Sequence, residues 1–279
     1  MKKPETWMPV GELAKGFASR NYALPLSGDL AGKELKLYFE DGALVECSFA
    51  TIDTLLWKTT AMRSPVKEAC SVTRVRQGIY FVDLVKHLER ATTLSLVLDL
   101  RRGVFTAVEA RLPQKAETRG SLLSRIDGRR ELTDVAASFR HGAIGRPFEA
   151  SMPRHAATED LVGKRIEYTY SPTECYEHIY LNGSFYTWHC LRGEEKGLAD
   201  TDVCHFYKLA RKLYLFVWRE KIVPTLGVVV VDLEAMRTSG KILGYEGNDF
   251  GKVVNFRVGA RARLQNITVH RKARRGALR

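Results

Sequence analysis

Two tyrosines and a glutamate in the second half of the chain have the side chains that acid–base chemistry needs. Tyr168 and Tyr170 are two residues apart, so in a strand their hydroxyl groups share one face. Glu220 follows an aromatic stretch. Burial in an apolar barrel raises the pKa of a carboxyl group, which can then act as a general acid or base near neutral pH. The alternative is that Glu220 lies on a rim, paired with Arg219 or Lys221.

An alternating aromatic pattern predicts a ring-lined wall near these three groups. If the wall faces inward, its hydroxyl, imidazole and indole groups need hydrogen-bond partners, which a polar ligand would supply. The alternative is that cross-strand aromatic pairs only stabilise a hairpin. The candidate ligand-binding side chains are Tyr176, His178, Tyr180, Tyr186, Trp188 and Trp218.

The sequence contains the same pattern twice. Leu-Ala-Gly-Lys-Glu at 30–34 recurs as Leu-Val-Gly-Lys-Arg at 161–165, and Trp57 recurs as Trp188 at the same offset of 131 residues. A solenoid would repeat about every 20–50 residues, so this longer offset indicates a duplicated domain.

The two copies differ at the candidate catalytic positions. The tyrosine pair corresponds to Leu37 and Phe39 of the first copy, and Glu220 corresponds to Lys86. We therefore expect the site in the second copy, and the first copy to be structural or to bind a more apolar ligand.

Short strands separated by turn signals run through both copies. Asp-Gly at 41–42 and Asn-Gly at 182–183 each lie between apolar runs, which is a hairpin signal. A long antiparallel meander avoids exposed edges by closing. The predicted fold is mainly β, with two tandem antiparallel barrels of about eight strands each.

The domain boundaries follow from shifts in composition. They are an N-terminal extension (1–22), a first barrel (23–115), a linker (116–158) with a helix at Glu131–Arg140, a second barrel (159–270) and a basic tail (271–279).

Composition narrows the class of protein. With 45% hydrophobic residues, the 279-residue chain is of the ordinary globular type. No run approaches the roughly 18 apolar residues of a membrane helix, and the start lacks the apolar stretch of a secretory signal, so a cytoplasmic protein without membrane attachment is expected. Five widely spaced cysteines suggest neither disulfides nor a metal site.

The net charge of +12 raises the question of nucleic-acid binding. Part of the charge lies in the tail, no DNA-binding motif accompanies it, and a solvated basic surface is the favoured interpretation. No phosphate-binding loop or nucleophile elbow occurs, so no cofactor is predicted. Whether the chain forms a homo-oligomer stays open.

Six stretches of the second half carry a family resemblance, at 176–182, 186–191, 196–202, 213–227, 240–246 and 249–252. They resemble the C-terminal domain of the MoaF family, named for molybdenum cofactor biosynthesis protein F. The first half resembles that family's N-terminal domain with fewer distinctive stretches. The resemblance implies two lipocalin-like (calycin) barrels and no defined reaction.

The opening strand of the second copy is also similar to that of the phenolic acid decarboxylases, single lipocalin-like barrels that work without a cofactor. That similarity implies substrate-binding roles for Tyr168 and Tyr170 and proton transfer by Glu220, two residues after Trp218. The family uses an arginine where this chain has Lys196 and a glycine, which puts decarboxylation in doubt.

The favoured hypothesis is that the second barrel binds a small aromatic or phenolic metabolite. Glu220, Tyr168 and Tyr170 would then carry out cofactor-free acid–base chemistry of the lyase, isomerase or cyclase type, with Lys196 among the ligand-binding residues. The alternative is a non-catalytic carrier or accessory protein in a biosynthetic or monoamine-related pathway.

Overall fold

The computed structural model describes residues 7–18 and 21–269, which form two closed antiparallel barrels in tandem. The predicted fold class is confirmed. The first barrel contains β1 (Glu34–Phe39), β2 (Leu44–Phe49), β3 (Thr54–Thr59), β4 (Val66–Arg76), β5 (Ile79–Val85), β6 (Thr92–Asp99), β7 (Val104–Arg111) and β8 (Ala136–Ile144).

The second barrel repeats this order, with β10 in the place of β1 and β17 in the place of β8. It closes because β12 pairs with β13 and β10 pairs with β17, and the short β9 adds to β13. Its strands are β9 (Ala156–Ala157), β10 (Lys164–Thr169), β11 (Cys175–Tyr180), β12 (Phe185–Arg192), β13 (Ala199–Ala210), β14 (Leu213–Arg219), β15 (Leu226–Asp232), β16 (Arg237–Tyr245) and β17 (Val253–Ile267).

The helix predicted at Glu131–Arg140 is wrong, because residues 136–144 form β8, which closes the first barrel between β7 and β1. Ala136 and Ala137 have high helix propensity, but pairing with two neighbouring strands overrides weak local propensity. The first barrel therefore extends beyond residue 115 into the predicted linker. The helix of that stretch is α2 (Leu122–Asp127), where the Ser121 hydroxyl oxygen caps the N-terminus.

Both predicted hairpins form, by different turn geometries. Gly42 has a φ of 86°, the positive value expected of an Asp-Gly turn. At the second hairpin Asn182 Oδ1 accepts hydrogen bonds from the backbone N–H groups of Ser184 and Phe185, both at 2.8 Å. The Asn182 side chain thus stabilises a turn that Gly183 enters without positive φ.

The two barrels share an apolar interface. Every residue of β14 and β15 is buried, because one face of each strand points into the second barrel and the other packs in a cluster with residues of the first. This burial on both faces accounts for the uninterrupted apolar run at Val228–Val231.

One helix of the N-terminal extension, α1 (Val10–Ala18), packs against β16 and β17 of the second barrel. Leu13 and Phe17 of this helix belong to the same buried cluster as the aromatic side chains of that barrel. The predicted basic tail lies outside the described residues. Within the described ranges, no helix is long and apolar enough to cross a membrane.

Candidate functional site

A small cavity of about 30 Å³ lies inside the second barrel beneath α1. A volume of this size holds only one or two water molecules. Its wall combines aromatic rings with two carboxyl groups. The lining residues are Leu13, Phe17, Tyr170, Tyr176, His178, Tyr186, Trp188, Glu195, Trp218, Glu220 and Ile242.

The aromatic wall is built by strand pairing. On β11 and β12, His178 lies directly opposite Trp188, and Tyr180 lies opposite Tyr186. All four side chains are buried, so the face predicted from alternation does point inward. The pattern therefore forms part of the barrel interior, and three of these four side chains reach the cavity.

Glu220 lies at the cavity and is partly buried. Its Oε1 accepts a hydrogen bond from Trp218 Nε1 at 2.9 Å. The predicted alternative of an ion pair does not occur within the described residues, because Arg219 pairs with Glu131 and Lys221 pairs with Asp200.

The backbone on either side of Glu220 is fixed by two other segments. Its N–H donates to the carbonyl of Thr225 at 2.9 Å, and its own carbonyl accepts from the Thr133 hydroxyl at 2.8 Å. The segment that precedes β8 in the first barrel thus holds the candidate proton-transfer residue of the second.

The surroundings of Glu220 favour its protonated form. Burial raises the pKa of this carboxyl well above its usual value, and the negative charges of Asp202 and Glu195 raise it further. The hydrogen bond from Trp218 has the opposite, smaller effect. Glu220 can therefore hold a proton at neutral pH, as a general acid must.

Glu195 is a second carboxyl group at the cavity, which the sequence analysis missed. Burial raises its pKa to about 7, although the hydrogen bond from the Tyr176 hydroxyl, at 3.1 Å, acts against this. Glu195 belongs to the charged turn between β12 and β13, a pattern typical of a solvated loop. Nothing in the local sequence distinguishes it from its exposed neighbour Glu194.

Asp202 is a third buried carboxyl group near the cavity, also missed from the sequence. Its Oδ2 accepts from Trp188 Nε1 at 3.0 Å, and its Oδ1 accepts from the backbone N–H of Lys221 at 3.1 Å. These bonds fix the indole of Trp188 in the cavity wall.

The predicted tyrosine pair separates. Tyr170 lines the cavity, whereas Tyr168 lies away from the cavity lining, with its hydroxyl 2.8 Å from that of Tyr180. Both residues of this hydroxyl pair are fully buried. Tyr168 and Tyr180 therefore have each other as partners, and of the two predicted catalytic tyrosines only Tyr170 faces the cavity.

His178 is a buried imidazole at the cavity. Burial lowers its pKa to about 3, so it is neutral at physiological pH. Its Nδ1 is buried without a hydrogen-bond partner among the described residues. An unpaired buried polar atom beside a cavity is suited to a hydrogen bond from a ligand or a water molecule.

The predicted cation does not reach the site. Lys196 and its neighbour Arg192 are exposed, and neither lines the cavity. No lysine or arginine of the described chain contributes to the cavity wall. The site therefore offers carboxyl groups and aromatic rings without a fixed positive charge.

Helix α1 covers the cavity, a contribution that the sequence analysis did not foresee. The Phe17 ring of α1 packs on Tyr170 with centroids 5.0 Å apart, and Trp7, which precedes the helix, packs edge-on against Trp188 at 5.8 Å. The small cavity volume follows from this cover.

Family models match both halves of the chain. Residues 155–268 match the MoaF C-terminal domain and residues 5–114 match the MoaF N-terminal domain. Protein MoaF of Klebsiella aerogenes is 41% identical over 270 residues, covering 97% of this chain and 99% of that protein. A solved structure described as "Crystal Structure of a putative beta-lactamase from Burkholderia vietnamiensis" has a TM-score of 0.32 and 15% identity. The match covers 39% of this chain and 100% of that chain.

Proposed function

The chain belongs to the MoaF family, and we propose that its second barrel binds a small aromatic or phenolic metabolite and transfers a proton on it. The reaction is of the cofactor-free lyase or isomerase type. Glu220 and Glu195 are the proton-transfer groups, and Tyr170, Trp188 and Trp218 hold the ring.

One observation carries this proposal. Two carboxyl groups with raised pKa values, Glu195 and Glu220, line an aromatic cavity and have no lysine or arginine partner among the described residues. Burying such groups destabilises a protein, and pairs of perturbed carboxyl groups are common at catalytic sites.

The two carboxyl groups suit opposite tasks. Protonated Glu220 can give a proton to the substrate, while Glu195, with a pKa of about 7, can take one from another atom of the same substrate. An isomerisation needs both transfers and leaves the total number of protons unchanged.

The same charges select the ligand. Ionised Glu195 repels a carboxylate, and no lysine or arginine of the cavity wall offsets its charge. Neutral phenols and catechols, or positively charged arylalkylamines, fit these electrostatics better than hydroxycinnamate anions. The proposed substrate therefore differs in charge from that of the phenolic acid decarboxylases.

A ligand with an aromatic ring cannot enter while α1 covers the cavity, because the free volume is only about 30 Å³. Entry requires Leu13 and Phe17 to move outward with the helix. Phe17 already contacts Tyr170 ring to ring, so a ligand ring can take its place with little change in contacts.

The test is to incubate the protein with catechol, tyramine and p-coumarate, following turnover by absorbance and binding by calorimetry. We expect binding of the first two over p-coumarate. Any turnover should fall about 100-fold or more in Glu220→Gln, whereas Glu194→Gln, next to Glu195 but exposed, should retain the activity of the unmodified protein.

Turnover unaffected by Glu220→Gln would overturn the role of Glu220. Binding without turnover of any compound would instead support the alternative of a carrier. Preferential binding of p-coumarate would contradict the electrostatic argument.

A further inference from the structure

The first barrel encloses a larger cavity, of about 250 Å³. This approaches the roughly 300–1,000 Å³ of typical small-molecule sites. Most of its wall is apolar, formed by residues such as Leu37, Phe39, Leu55 and Leu96. The cavity has room for a medium-chain or two-ring molecule without movement of the protein.

Polar groups meet at one end of this cavity. Lys86, Glu109 and Ser138 all line it, and Lys86 Nζ lies 2.6 Å from Glu109 Oε2. Glu109 and Ser138 are directly opposite each other on β7 and β8. Apart from Thr59 and Arg140, whose guanidinium group stacks over the Phe39 ring, the rest of the wall is apolar.

Trp57 provides an unused hydrogen-bond donor at the same end. Its Nε1 is buried without a partner among the described residues, and Lys86 Nζ lies 5.8 Å from the centre of its ring. A buried indole N–H is ordinarily hydrogen-bonded.

The second barrel shows which hydrogen-bond partner Trp57 lacks. There the equivalent Trp188 donates to Asp202, which also accepts from the backbone N–H of Lys221. Glu68 is the first-barrel counterpart of Asp202, since it lies opposite Leu55 as Asp202 lies opposite Tyr186.

Glu68 does not accept a hydrogen bond from Trp57 Nε1, however. Its oxygens accept from the backbone N–H of His87, at 3.2 Å, and lie 2.9 Å from the His87 ring nitrogen Nδ1. The indole N–H that the protein satisfies internally in the second barrel is thus unpaired in the first.

Lys86 supplies a further donor. Its ammonium group has three N–H bonds, and the described residues provide two acceptors, Glu89 at 2.9 Å and Glu109 at 2.6 Å. One N–H bond is left beside the unpaired indole.

We propose that the first barrel is a second ligand site, which takes an apolar small molecule ending in a hydrogen-bond-accepting oxygen. That oxygen accepts from Trp57 Nε1 and Lys86 Nζ, and the apolar body fills the cavity. The acceptor belongs to a carbonyl or to a carboxylate, and the test distinguishes the two. This site is independent of the acid–base site in the second barrel.

The test is titration calorimetry of the full chain with 2-decanone, decanoate and decylamine. We expect the ketone or the acid to bind at least tenfold more tightly than the amine, which offers no acceptor to the two donors. Tighter binding of decanoate would identify a carboxylate ligand, and tighter binding of 2-decanone would identify a carbonyl ligand.

Two variants locate the binding. Trp57→Phe keeps a ring but removes the donor, and should weaken binding about tenfold. Trp188→Phe, the matched change in the second barrel, should leave the affinity unchanged. Ala107→Leu fills part of the cavity and should also reduce affinity, which keeps the test decisive if Trp57→Phe does not fold.

The site would be excluded if the amine bound as tightly as the ketone and the acid. An affinity unchanged in both Trp57→Phe and Ala107→Leu would also exclude it. Loss of binding in Trp188→Phe alone would assign the ligand to the second barrel instead.

Discussion

Lys86 and Glu220 occupy equivalent positions in the two barrels. Each directly follows the fifth strand of its barrel, and each lines the cavity together with the tryptophan of the third strand, Trp57 or Trp188. One position of the duplicated scaffold therefore carries an ammonium group in one barrel and a carboxyl group with a raised pKa in the other. The scaffold is shared, but at this position one cavity has a basic side chain and the other an acidic one.

Protonation of Glu195 should make the stability of the protein depend on pH. Folding raises the pKa of this carboxyl from 4.5 to about 7, so its contribution is fully present below about pH 4.5 and is lost as pH rises through about 7. We expect the melting temperature to fall by a few degrees from about pH 5 to about pH 8.

Glu195→Gln should weaken this dependence, because glutamine does not titrate, while the part that comes from the raised pKa of Glu220 should remain. The measurement is thermal unfolding of both proteins across the pH range, with Glu194→Gln as the control that keeps the slope. A slope unchanged in Glu195→Gln would contradict the proposed shift.

The buried ion pair between the barrels gives a second prediction. Lys241 Nζ lies 3.1 Å from Asp83 Oδ1, and Asp83 also accepts from Ser95 and Asn255, both at 2.7 Å. Asp83→Asn would leave the ammonium group of Lys241 without its counter-charge in the interface, which should destabilise the protein by about 3–5 kcal/mol.

Urea unfolding provides the measurement. Lys241→Met should cost less, because Asp83 keeps its other two donors. The double variant should recover part of the loss of Asp83→Asn. If Asp83→Asn and Lys241→Met were equally mild, the pair would not be important for the interface.

Helix α1 contacts the second barrel closely at Gly11, which lies against the backbone of Glu246. A Cβ atom at Gly11 would lie closer to the carbonyl oxygen of Glu246 than such atoms approach. Helix propensity alone favours alanine over glycine by about 1 kcal/mol. On propensity alone, Gly11→Ala would therefore stabilise the protein.

We expect the opposite sign, a destabilisation of about 1–3 kcal/mol, together with increased binding of the dye ANS to the uncovered aromatic cavity. Unfolding in urea and ANS fluorescence are the two measurements. Lys15→Ala, on the exposed face of the same helix, is the control. A more stable Gly11→Ala protein would disprove the close packing.

The cysteines should be unreactive in the folded protein. All five are free and buried, and burial raises the pKa of Cys47 to about 12 and the pKa values of Cys70 and Cys190 to about 11. Since the thiolate is the reactive form, Ellman's reagent should label all five thiols only after denaturation. Prompt labelling of one thiol in the native protein would show that its surroundings open.

The duplication and the alternation of residue types were sufficient to predict two barrels and to put the aromatic side chains on a common face, and the structure shows that this face points inward. They failed at β8, where the local sequence favours a helix and only pairing with β7 and β1 makes a strand. Local propensity cannot report a partner that is distant in the chain.

For the candidate site, the sequence alone determined that the tyrosine pair and Glu220 belong to the second copy, because the equivalent positions of the first copy carry Leu37, Phe39 and Lys86. The tertiary structure decided the rest. It paired Tyr168 with Tyr180, left Lys196 in solvent, and brought Glu195 to the cavity. Helix α1, more than 150 residues away in the chain, covers the cavity. Depth within a barrel and the cover over its end depend on contacts between distant segments, which no local pattern contains.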